Sequence, residues 1–309
     1  MEKVTVSIIV PTFNRPDLIR RAILSVLNQT YTKFEIIVVI DGADDDTLAV
    51  LKDFKEERVR HVIHEKNRGV SAARNTGILA ARGKYIALLD DDDEWMPSKL
   101  EKQVAAADNT VPEIGVIYTD YLEYDDESHT VNYKEPLDGR RDAHEQICQG
   151  GCITPSVSLI KKECLMRVGL FDEGLKRCED WELWLRISEY YKFMKISEPL
   201  VVYHIVQGRL SDDVSLHLKF KEAVSLKYLI NNRKSLAHNV FYLGIKWYDL
   251  GEHRLGQKYI YESIRLDPIN LMYAGAAVAT LGGSKIYMFT NNVYKKLRMV
   301  INRRSRLPH

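Results

Sequence analysis

The chain has 309 residues, which is enough for one large domain or for one domain with an appendage. Hydrophobic residues make up 45% and charged residues 28%, the composition of an ordinary soluble globular protein. The 44 Lys and Arg nearly balance the 43 Asp and Glu, so the net charge of +1 gives no global signal for nucleic-acid or membrane binding. We therefore predict no nucleic-acid partner.

The N-terminus and the cysteines indicate the compartment. No apolar segment precedes the first predicted strand, and no charge-free apolar stretch reaches about 18 residues, so we expect neither a signal peptide nor a spanning helix. Cys148, Cys152, Cys164 and Cys178 lie close together but lack the spacing of a zinc site. We expect free thiols in a reducing compartment and a cytoplasmic location.

The first hundred residues alternate between short apolar runs and helical patterns. The runs predict strands, and the spacing of apolar residues between them predicts helices. In chain order these are strand Val4–Val10 (ended by Pro11), helix Asp17–Leu27, strand Phe34–Ile40, helix Thr47–Phe54, strand Val59–His64, helix Val70–Ala81 and strand Tyr85–Leu89. This alternation is typical of a parallel sheet with right-handed crossovers.

The pattern is weaker in the middle of the chain. A helix at Ser98–Ala107 and a strand at Gly115–Tyr121 precede residues 122–150, which are polar and poorly periodic. We interpret that stretch as a loop region that shapes a pocket. A helix at Asp180–Ser188 and a strand at Pro199–Ile205 follow.

Beyond Ser215 only helical patterns occur, which predicts two domains, residues 1–215 and residues 216–309. One helical hairpin in the second domain resembles a single tetratricopeptide unit. The segment Lys295–Arg306 is strongly basic. It is interpreted equally well as a stretch that binds anionic lipid headgroups or as a solvated terminus.

The strand Tyr85–Leu89 runs directly into five acids, Asp90 to Glu94. Five carboxylates at the end of a buried strand are costly unless a cation or a network of donors absorbs the charge. Mg²⁺ or Mn²⁺ would do so and would bring phosphate oxygens. A solvated acidic turn is the alternative, but ligand crevices of open α/β sheets lie at the carboxyl ends of strands, which favours a binding site.

Three further charged positions are open to two interpretations each. Asp41 closes the second strand, where it could contact a nucleoside or cap the turn. Arg74 could pair with a diphosphate or form a salt bridge to the aspartates. Glu179 and Asp180 begin a helix, where a carboxylate commonly acts as an N-cap or dipole partner.

Four segments together resemble a known family. SIIVPTFNRPDLIRRAILSVLNQTY, FEIIVVIDGADDDT, NRGVSAARNTGILAARGKYIALLDDDDEWMP and CEDWELWLRI are similar, in order and spacing over roughly residues 4 to 211, to the inverting family 2 glycosyltransferases. The resemblance implies a GT-A fold: a Rossmann-like, mostly parallel sheet flanked by helices, here with an all-helical C-terminal extension.

The resemblance also implies roles for named residues. It implies a pocket for the donor base, typically uracil, and further nucleotide-sugar contacts at Pro11, Thr12, Asn14, Asp41, Arg74, Asp90 and Asp91. It implies that Asp92 binds the metal, with Asp90 as a second position, and that Asp180 is the catalytic base supported by Glu179. His204 is a candidate third metal ligand, although the usual histidine position of the family holds Val206 here.

The resemblance thus implies a glycosyltransferase dependent on Mn²⁺ or Mg²⁺, with a UDP-sugar donor and a hydroxyl of a glycan or lipid-linked acceptor. With a lipid-linked acceptor, the protein would be peripheral on the cytoplasmic membrane face. Two alternatives stay open: a non-catalytic adaptor built on a degenerate transferase domain, and a nucleotidyltransferase. The second would need a Gly-rich phosphate loop after the first strand, and PTFNRPD is not one.

Overall fold

The computed structural model describes residues 4–42, 45–205 and 213–282. The chain divides between Phe220 and Lys221 into two compact units. The assignment of separate roles to residues 1–215 and 216–309 stays a prediction. Val206 and the basic segment Lys295–Arg306 lie outside the described residues.

The N-terminal unit contains strands and helices in alternation. The strands are β1 (Val6–Thr12), β2 (Phe34–Ile40), β3 (Val59–Ile63), β4 (Tyr85–Leu88), β5 (Glu94–Trp95), β6 (Ile114–Asp125), β7 (Val131–Lys134), β8 (Ser158–Lys161) and β9 (Lys192–Ile205). The helices that begin in this unit are α1 (Pro16–Leu27), α2 (Asp45–Asp53), α3 (Val70–Ala80), α4 (Lys99–Asp108), α5 (Ala143–Cys148), α6 (Lys162–Val168), α7 (Glu179–Ser188) and α8 (Val214–Leu229).

The strands form one sheet in the order β3-β2-β1-β4-β8-β6-β9-β5, with β7 paired to β6. From β3 to β4 all pairs are parallel, as predicted from the alternating pattern. Every residue of β1 and β2 is buried, as expected for strands covered on both faces by crossover helices. Their carboxyl ends therefore meet at one edge of the sheet, next to the end of β4.

Beyond β4 the sheet is mixed. β8 runs antiparallel to both β4 and β6, whereas β9 runs parallel to β6 and antiparallel to the short β5. β8 directly follows a short 3-10 turn at Pro155–Val157. The acidic run reaches into this mixed part of the sheet, because its last member, Glu94, pairs with Val202 of β9.

Two local predictions were wrong. Pro11 does not end β1, which continues to Thr12 in register with β2. β4 pairs with β1 only as far as Ile9, so Pro11 lies where β1 has a single strand partner and its missing N–H is tolerated. Residues 122–150 are not only loop, since they contain the end of β6 together with β7 and α5.

The C-terminal unit is helical, as predicted. After α8 come α9 (Arg233–Asp249), α10 (His253–Leu266) and α11 (Leu271–Leu281). Glycines allow α9 and α10 to approach closely, because a Cβ at Gly256 would lie 2.7 Å from the backbone nitrogen of Tyr248. None of the helices in the described ranges has the length and apolar content needed to cross a membrane.

Candidate active site

The ends of β1, β2 and β4 bring the predicted polar residues together. The amide of Asp41, directly after β2, donates to the carbonyl of Thr12 at 2.9 Å. The hydroxyl of Thr12 in turn donates to Oδ2 of Asp91, which follows β4, at 2.7 Å. The strand-end acids predicted from the sequence thus lie around one edge, as expected for an open α/β sheet.

The four consecutive aspartates face different partners. Oδ1 of Asp90 accepts a bond from Arg74 at 2.8 Å. Asp91 and Asp92 both lie against Arg15, whose Nη1 is 3.1 Å from Oδ1 of Asp91 and 3.2 Å from Oδ2 of Asp92. The structure therefore separates this run into an arginine-bound Asp90 and a pair, Asp91 and Asp92, that share one guanidinium.

Asp93 has a structural role. Its side chain is fully buried, Oδ2 accepts a 2.5 Å bond from the hydroxyl of Ser156, and Oδ1 accepts from the amide of His204 at 3.3 Å. The same Ser156 hydroxyl accepts from the amide of Asp90 at 3.1 Å. These bonds fix the acidic run against the turn before β8 and against β9.

The negative charge of the run is balanced largely by protein donors. Arg15 bridges Asp91 and Asp92, and Arg21 donates to the carbonyl of Asp92 at 2.6 Å. Burial nevertheless raises the pKa of Asp91 to about 6, against the lowering effects of Thr12 and Arg15. Of the two ways to absorb the charge, a donor network is therefore present in the protein itself.

Asp41 is buried and accepts bonds on both oxygens. Oδ1 lies 2.7 Å from Nδ1 of His64 and 2.9 Å from the amide of Arg68, while Oδ2 accepts from the amide of Gly69 at 2.7 Å. The carboxylate thus caps the turn before α3, which is one of the two roles that the sequence allows for Asp41. A carboxylate offers about four lone-pair positions, so acceptor capacity remains for a ligand.

Arg74 on α3 is buried and joins two distant carboxylates. Its Nη2 donates to Asp90 at 2.8 Å and its Nη1 to Oε1 of Glu179 at 2.9 Å. Burial alone would lower its pKa, but the charges of Asp90 and Glu179 outweigh burial and raise it. Its Nε–H has no hydrogen-bond partner among the described residues, so one donor of the fork is unused.

Glu179 and Asp180 begin α7, as the sequence predicts. The preceding Cys178 has φ of +60°, an uncommon left-handed conformation for a non-glycine residue. Oδ1 of Asp180 accepts from the amide of Trp181 at 2.7 Å and Oδ2 lies 3.3 Å from the thiol of Cys152. Burial, reinforced by the charge of Glu179, raises the pKa of Asp180 to about 6.

Trp181 and Trp184 are core residues, the interpretation that helical spacing favours. They are 2% and 0% exposed, and their indole N–H groups donate to the carbonyls of Ile147 and Ile153. They attach α7 to the segment that carries Cys152. The packing of α7 therefore fixes Asp180 relative to that thiol.

His204 lies in an ion-pair cluster at the end of the acidic run. Its Nε2 is 2.8 Å from Oε1 of Glu94 and its Nδ1 is 3.1 Å from Oδ1 of Asp126. In the part of the chain that the structure describes, no three His, Cys, Asp or Glu side chains are grouped so that they could hold a metal ion. Both ring nitrogens are engaged, so the predicted metal role of His204 lacks support from its geometry.

Pro11 and Thr12 are buried at the end of β1, whereas Asn14 is exposed with φ of +53°. Asn is among the residues that adopt this conformation most readily, and it turns the chain from β1 into α1. The predicted nucleotide-binding residues from β1 therefore lie at the sheet edge, with Asn14 on its solvent side.

Several residues of this network were not identified from the sequence. The sequence places His64 at the end of a strand and Ser156 at the start of another, and it gives no functional signal for either of them or for Cys152. His64 also contacts Thr76 on α3 at 2.9 Å, so it connects Asp41 with the helix that carries Arg74. A histidine at the end of a strand next to that of Asp41 was the one available signal.

Comparison with known proteins identifies the family. The model for Glycosyl transferase family 2 matches residues 7–169, more than half of the chain. An uncharacterized glycosyltransferase of Methanocaldococcus jannaschii is 29% identical over 81% of this chain and 88% of its own length. The Escherichia coli UDP-Glc:alpha-D-GlcNAc-diphosphoundecaprenol beta-1,3-glucosyltransferase WfgD is 30% identical over 72% of this chain and 83% of its own.

Solved structures agree on the fold. Staphylococcus aureus TarS 1-349 in complex with UDP-GlcNAc superposes with a TM-score of 0.68 at 16% identity, over 95% of this chain and 92% of that one. The mannosyltransferase PcManGT of Pyrobaculum calidifontis, in complex with GDP-Man and Mn²⁺, gives 0.55 at 17% identity over 95% and 80%. This chain belongs to glycosyltransferase family 2 and has the GT-A fold.

Proposed function

We propose that this glycosyltransferase transfers a sugar from a nucleoside diphosphate donor, a UDP-sugar, to a hydroxyl of a glycan or lipid-linked acceptor with inversion. The observation that carries the proposal is the bridge made by Arg74 between Asp90 and Glu179. It places a buried cation, suited to a diphosphate, next to the residue that precedes Asp180. Donor and base positions are thereby joined through one side chain.

The donor nucleoside would lie over the ends of β1 and β2. Thr12 and Asp41 are already linked there through the backbone, and Asp41 retains acceptor capacity for an imide or ribose donor. Pro11 and Asn14 flank the same edge. The TarS complexes with UDP and UDP-GlcNAc support a uridine donor by analogy of fold.

A divalent metal, Mn²⁺ or Mg²⁺, would be held by Asp92 and Asp90. Their carboxylate oxygens are hard ligands of the type that these ions prefer. The place also accepts positive charge, since Arg15 already lies between Asp91 and Asp92. When bound, the ion would neutralise charge on the departing diphosphate. The Mn²⁺ in the PcManGT complex supports this assignment.

Asp180 is proposed as the catalytic base. With a pKa of about 6 it is ionised at neutral pH and close enough to that pH to accept a proton efficiently. It would take the proton of the acceptor hydroxyl while that oxygen bonds to the anomeric carbon. The bond from that carbon to the diphosphate oxygen breaks and its electron pair leaves with the nucleoside diphosphate. Glu179 would hold Arg74 in place during this step.

The acceptor is proposed to be lipid-linked. WfgD is named for transfer to a GlcNAc-diphosphoundecaprenol, and its match covers 72% of the present chain. A lipid-linked acceptor would bring the reaction to the surface of the membrane, which requires the enzyme to be peripheral there.

The decisive experiment is a donor panel. Release of UDP, GDP and dTDP is measured for each sugar nucleotide, with and without Mn²⁺, and the anomeric configuration of the product is determined by NMR. We expect turnover with a UDP-sugar, dependence on metal, and inversion. Binding of a donor without any transfer would instead identify a non-catalytic adaptor, and retention of configuration would exclude direct displacement.

The Asp180→Asn variant tests the base. It keeps the shape of the side chain and should bind the donor as the wild type does, but should lose transfer by a factor on the order of 10² or more. Retained transfer would remove Asp180 from that role. Glu189→Gln, a change at the exposed residue that directly follows the same helix, serves as the control.

A further inference from the structure

The charges of the chain are divided unevenly between its two units. Residues 1–220 contain 38 Asp and Glu against 29 Lys and Arg, whereas residues 221–309 contain 15 Lys and Arg against 5 Asp and Glu. The near-neutral total thus hides a basic C-terminal unit. Such a unit is attracted to an anionic surface over about one Debye length, roughly 10 Å at moderate salt.

Among the residues that the structure describes, helix α11 is packed on one face. Within the C-terminal unit, Tyr273 stacks on Phe241 with ring centroids 4.6 Å apart, and the carbonyl of Thr280 accepts a bond from Gln257 at 3.1 Å. Tyr273 and Thr280 are 2% exposed. These contacts define the face of α11 that is attached to α9 and α10.

The other face of α11 is apolar and exposed. Leu271 is 85% exposed, and Val278 and Leu281 are each 69% exposed. Their spacing of seven and three residues places them along one stripe of the helix. Ile269, just before the helix, is 80% exposed, and the sequence has no charged residue between Asp267 and Lys285.

The basic charge of the C-terminal unit and the apolar stripe of α11 together indicate what binds to this face. A nucleic acid would match the positive charge but offers no surface for an apolar stripe. A second copy packed face to face would bring two basic units together, and their charges repel. A bilayer with anionic headgroups satisfies both the charge and the stripe, as for interfacial helices in general.

We propose that α11 lies in the interface of an anionic membrane, with Leu271, Val278 and Leu281 inserted at the boundary of headgroups and acyl chains. The basic residues of the C-terminal unit supply the electrostatic attraction. At 11 residues, α11 is suited to lie in the interface. This membrane contact rests on the proposed function, because a lipid-linked acceptor gives it a purpose. Membrane binding is nevertheless measured independently of sugar transfer.

The test is co-sedimentation of the full-length protein with vesicles. Vesicles of phosphatidylcholine with phosphatidylglycerol are compared with vesicles of phosphatidylcholine alone, at low and high salt. The wild type should bind the anionic vesicles, and high salt should weaken that binding. Val278→Glu should reduce the partition coefficient by a factor on the order of ten, because the stripe would carry a charge into the interface.

A matched control is available in Leu79 of α3, which is 68% exposed. Leu79→Glu adds the same charge as Val278→Glu at equal exposure, so it should leave vesicle binding unchanged. Circular dichroism confirms folding of both variants, whose substituted side chains are largely in solvent. Transfer to a water-soluble acceptor should be equal in the wild type and in both variants.

The outcomes separate the possibilities. Absence of binding to anionic vesicles, or equal loss for both variants, overturns the proposal. A dimer in solution that Val278→Glu dissociates assigns the stripe to a second copy instead and also overturns it. Failure of the donor panel with intact vesicle binding would reject the proposed reaction while leaving the membrane surface in place.

Discussion

The thiol of Cys152 lies 3.3 Å from Oδ2 of Asp180, where it donates to the carboxylate proposed as the base. The two residues are 28 positions apart and are joined by the packing of α7 against the segment before β8. A donor to a carboxylate favours its ionised form and lowers its pKa. Cys152 is therefore a positioning residue that offsets part of the effect of burial on Asp180.

This contact predicts a change in pH dependence. For the wild type, kcat should fall as the pH drops through about 6, because Asp180 must be ionised to accept a proton. Cys152→Ala should move this midpoint upward by about half a pH unit, since a weak hydrogen bond contributes roughly 0.5–1 kcal/mol. Cys152→Ser retains a donor and should restore the wild-type profile. An unchanged profile in Cys152→Ala would show that the thiol only fills space.

Substitution of Arg74 should have separable effects on protein stability and on donor binding. Arg74→Met leaves Asp90 and Glu179 without their shared cation and should lower the free energy of unfolding by about 3 kcal/mol. Adding Asp90→Asn and Glu179→Gln removes the uncompensated charges and should recover most of this stability, but not donor binding. Urea unfolding and calorimetric titration with the donor measure the two effects.

The control for Arg74 is Arg68→Met. Arg68 pairs with Glu173 across 3.2 Å, and both side chains are nearly half exposed. Exposed pairs contribute little, so this change should cost no more than about 1 kcal/mol. Donor binding that survives in the triple variant would contradict a role for Arg74 in holding the diphosphate.

The parallel half of the sheet was predictable because its information is local. β1, β2 and β4 are short apolar runs, and those of β2 and β4 lead directly into acids, Asp41 and Asp90, so both the strands and these acids follow from the sequence. The helix α7 was likewise predictable from the spacing of its apolar residues. The sequence therefore leads to Asp41 and Asp180 as candidate site residues, and their roles stay predictions.

The directions of the four aspartates were not predictable, because each depends on partners far along the chain. Asp91 faces Thr12, 79 residues away, and Asp93 faces Ser156, 63 residues away. A uniform run of Asp contains no signal that separates these positions. The contacts of His204 with Glu94 and Asp126 were likewise not predictable, and its role as a metal ligand stays a prediction.

Replacement of Gly69, at the start of α3, should strain the backbone and lower the stability of the protein. Its φ of +92° and ψ of +160° lie in a region that is essentially restricted to glycine, while a Cβ there would meet no atom within 4 Å. Gly69→Ala should therefore destabilise the protein by about 1–3 kcal/mol through strain alone. It should also weaken donor binding, because the amide of Gly69 holds Asp41.

Gly275 is the matched control, since a Cβ there also meets nothing within 4 Å but the residue is helical. Gly275→Ala should stabilise the protein by about 0.5–1 kcal/mol. Thermal unfolding should therefore show a lower midpoint temperature than the wild type for Gly69→Ala and a higher one for Gly275→Ala. Equal effects would show that φ at Gly69 is not the cause.

The buried amine of Lys99 should make the stability of the protein depend on pH. It is fully buried, and its amine donates to Oε1 of Gln103 at 2.7 Å. Burial lowers its pKa well below the usual value, so between that lowered pKa and about 10 the unfolded chain binds a proton that the folded protein does not. Stability should therefore rise with pH through this range, by up to about 1.4 kcal/mol per pH unit.

Urea unfolding between pH 7 and the onset of tyrosine ionisation tests this. Lys99→Met removes the titrating group and should flatten the dependence, whereas Lys102→Met, a change at an exposed position of the same helix, should not. A parallel slope in the wild type and Lys99→Met would mean that Lys99 is charged in the folded protein.

Arg15 predicts how the protein binds metal without a donor. Its guanidinium is shared by Asp91 and Asp92, so a cation that binds Asp92 has to compete with it. Arg15→Met removes this competing charge and should tighten Mn²⁺ binding by about tenfold, as measured by electron paramagnetic resonance of free Mn²⁺. Arg20→Met, on the helix that begins after Arg15 and paired with Asp53 at an exposed position, should leave Mn²⁺ affinity unchanged. Weaker binding in Arg15→Met would mean that Arg15 orients the two carboxylates for the ion instead of competing with it.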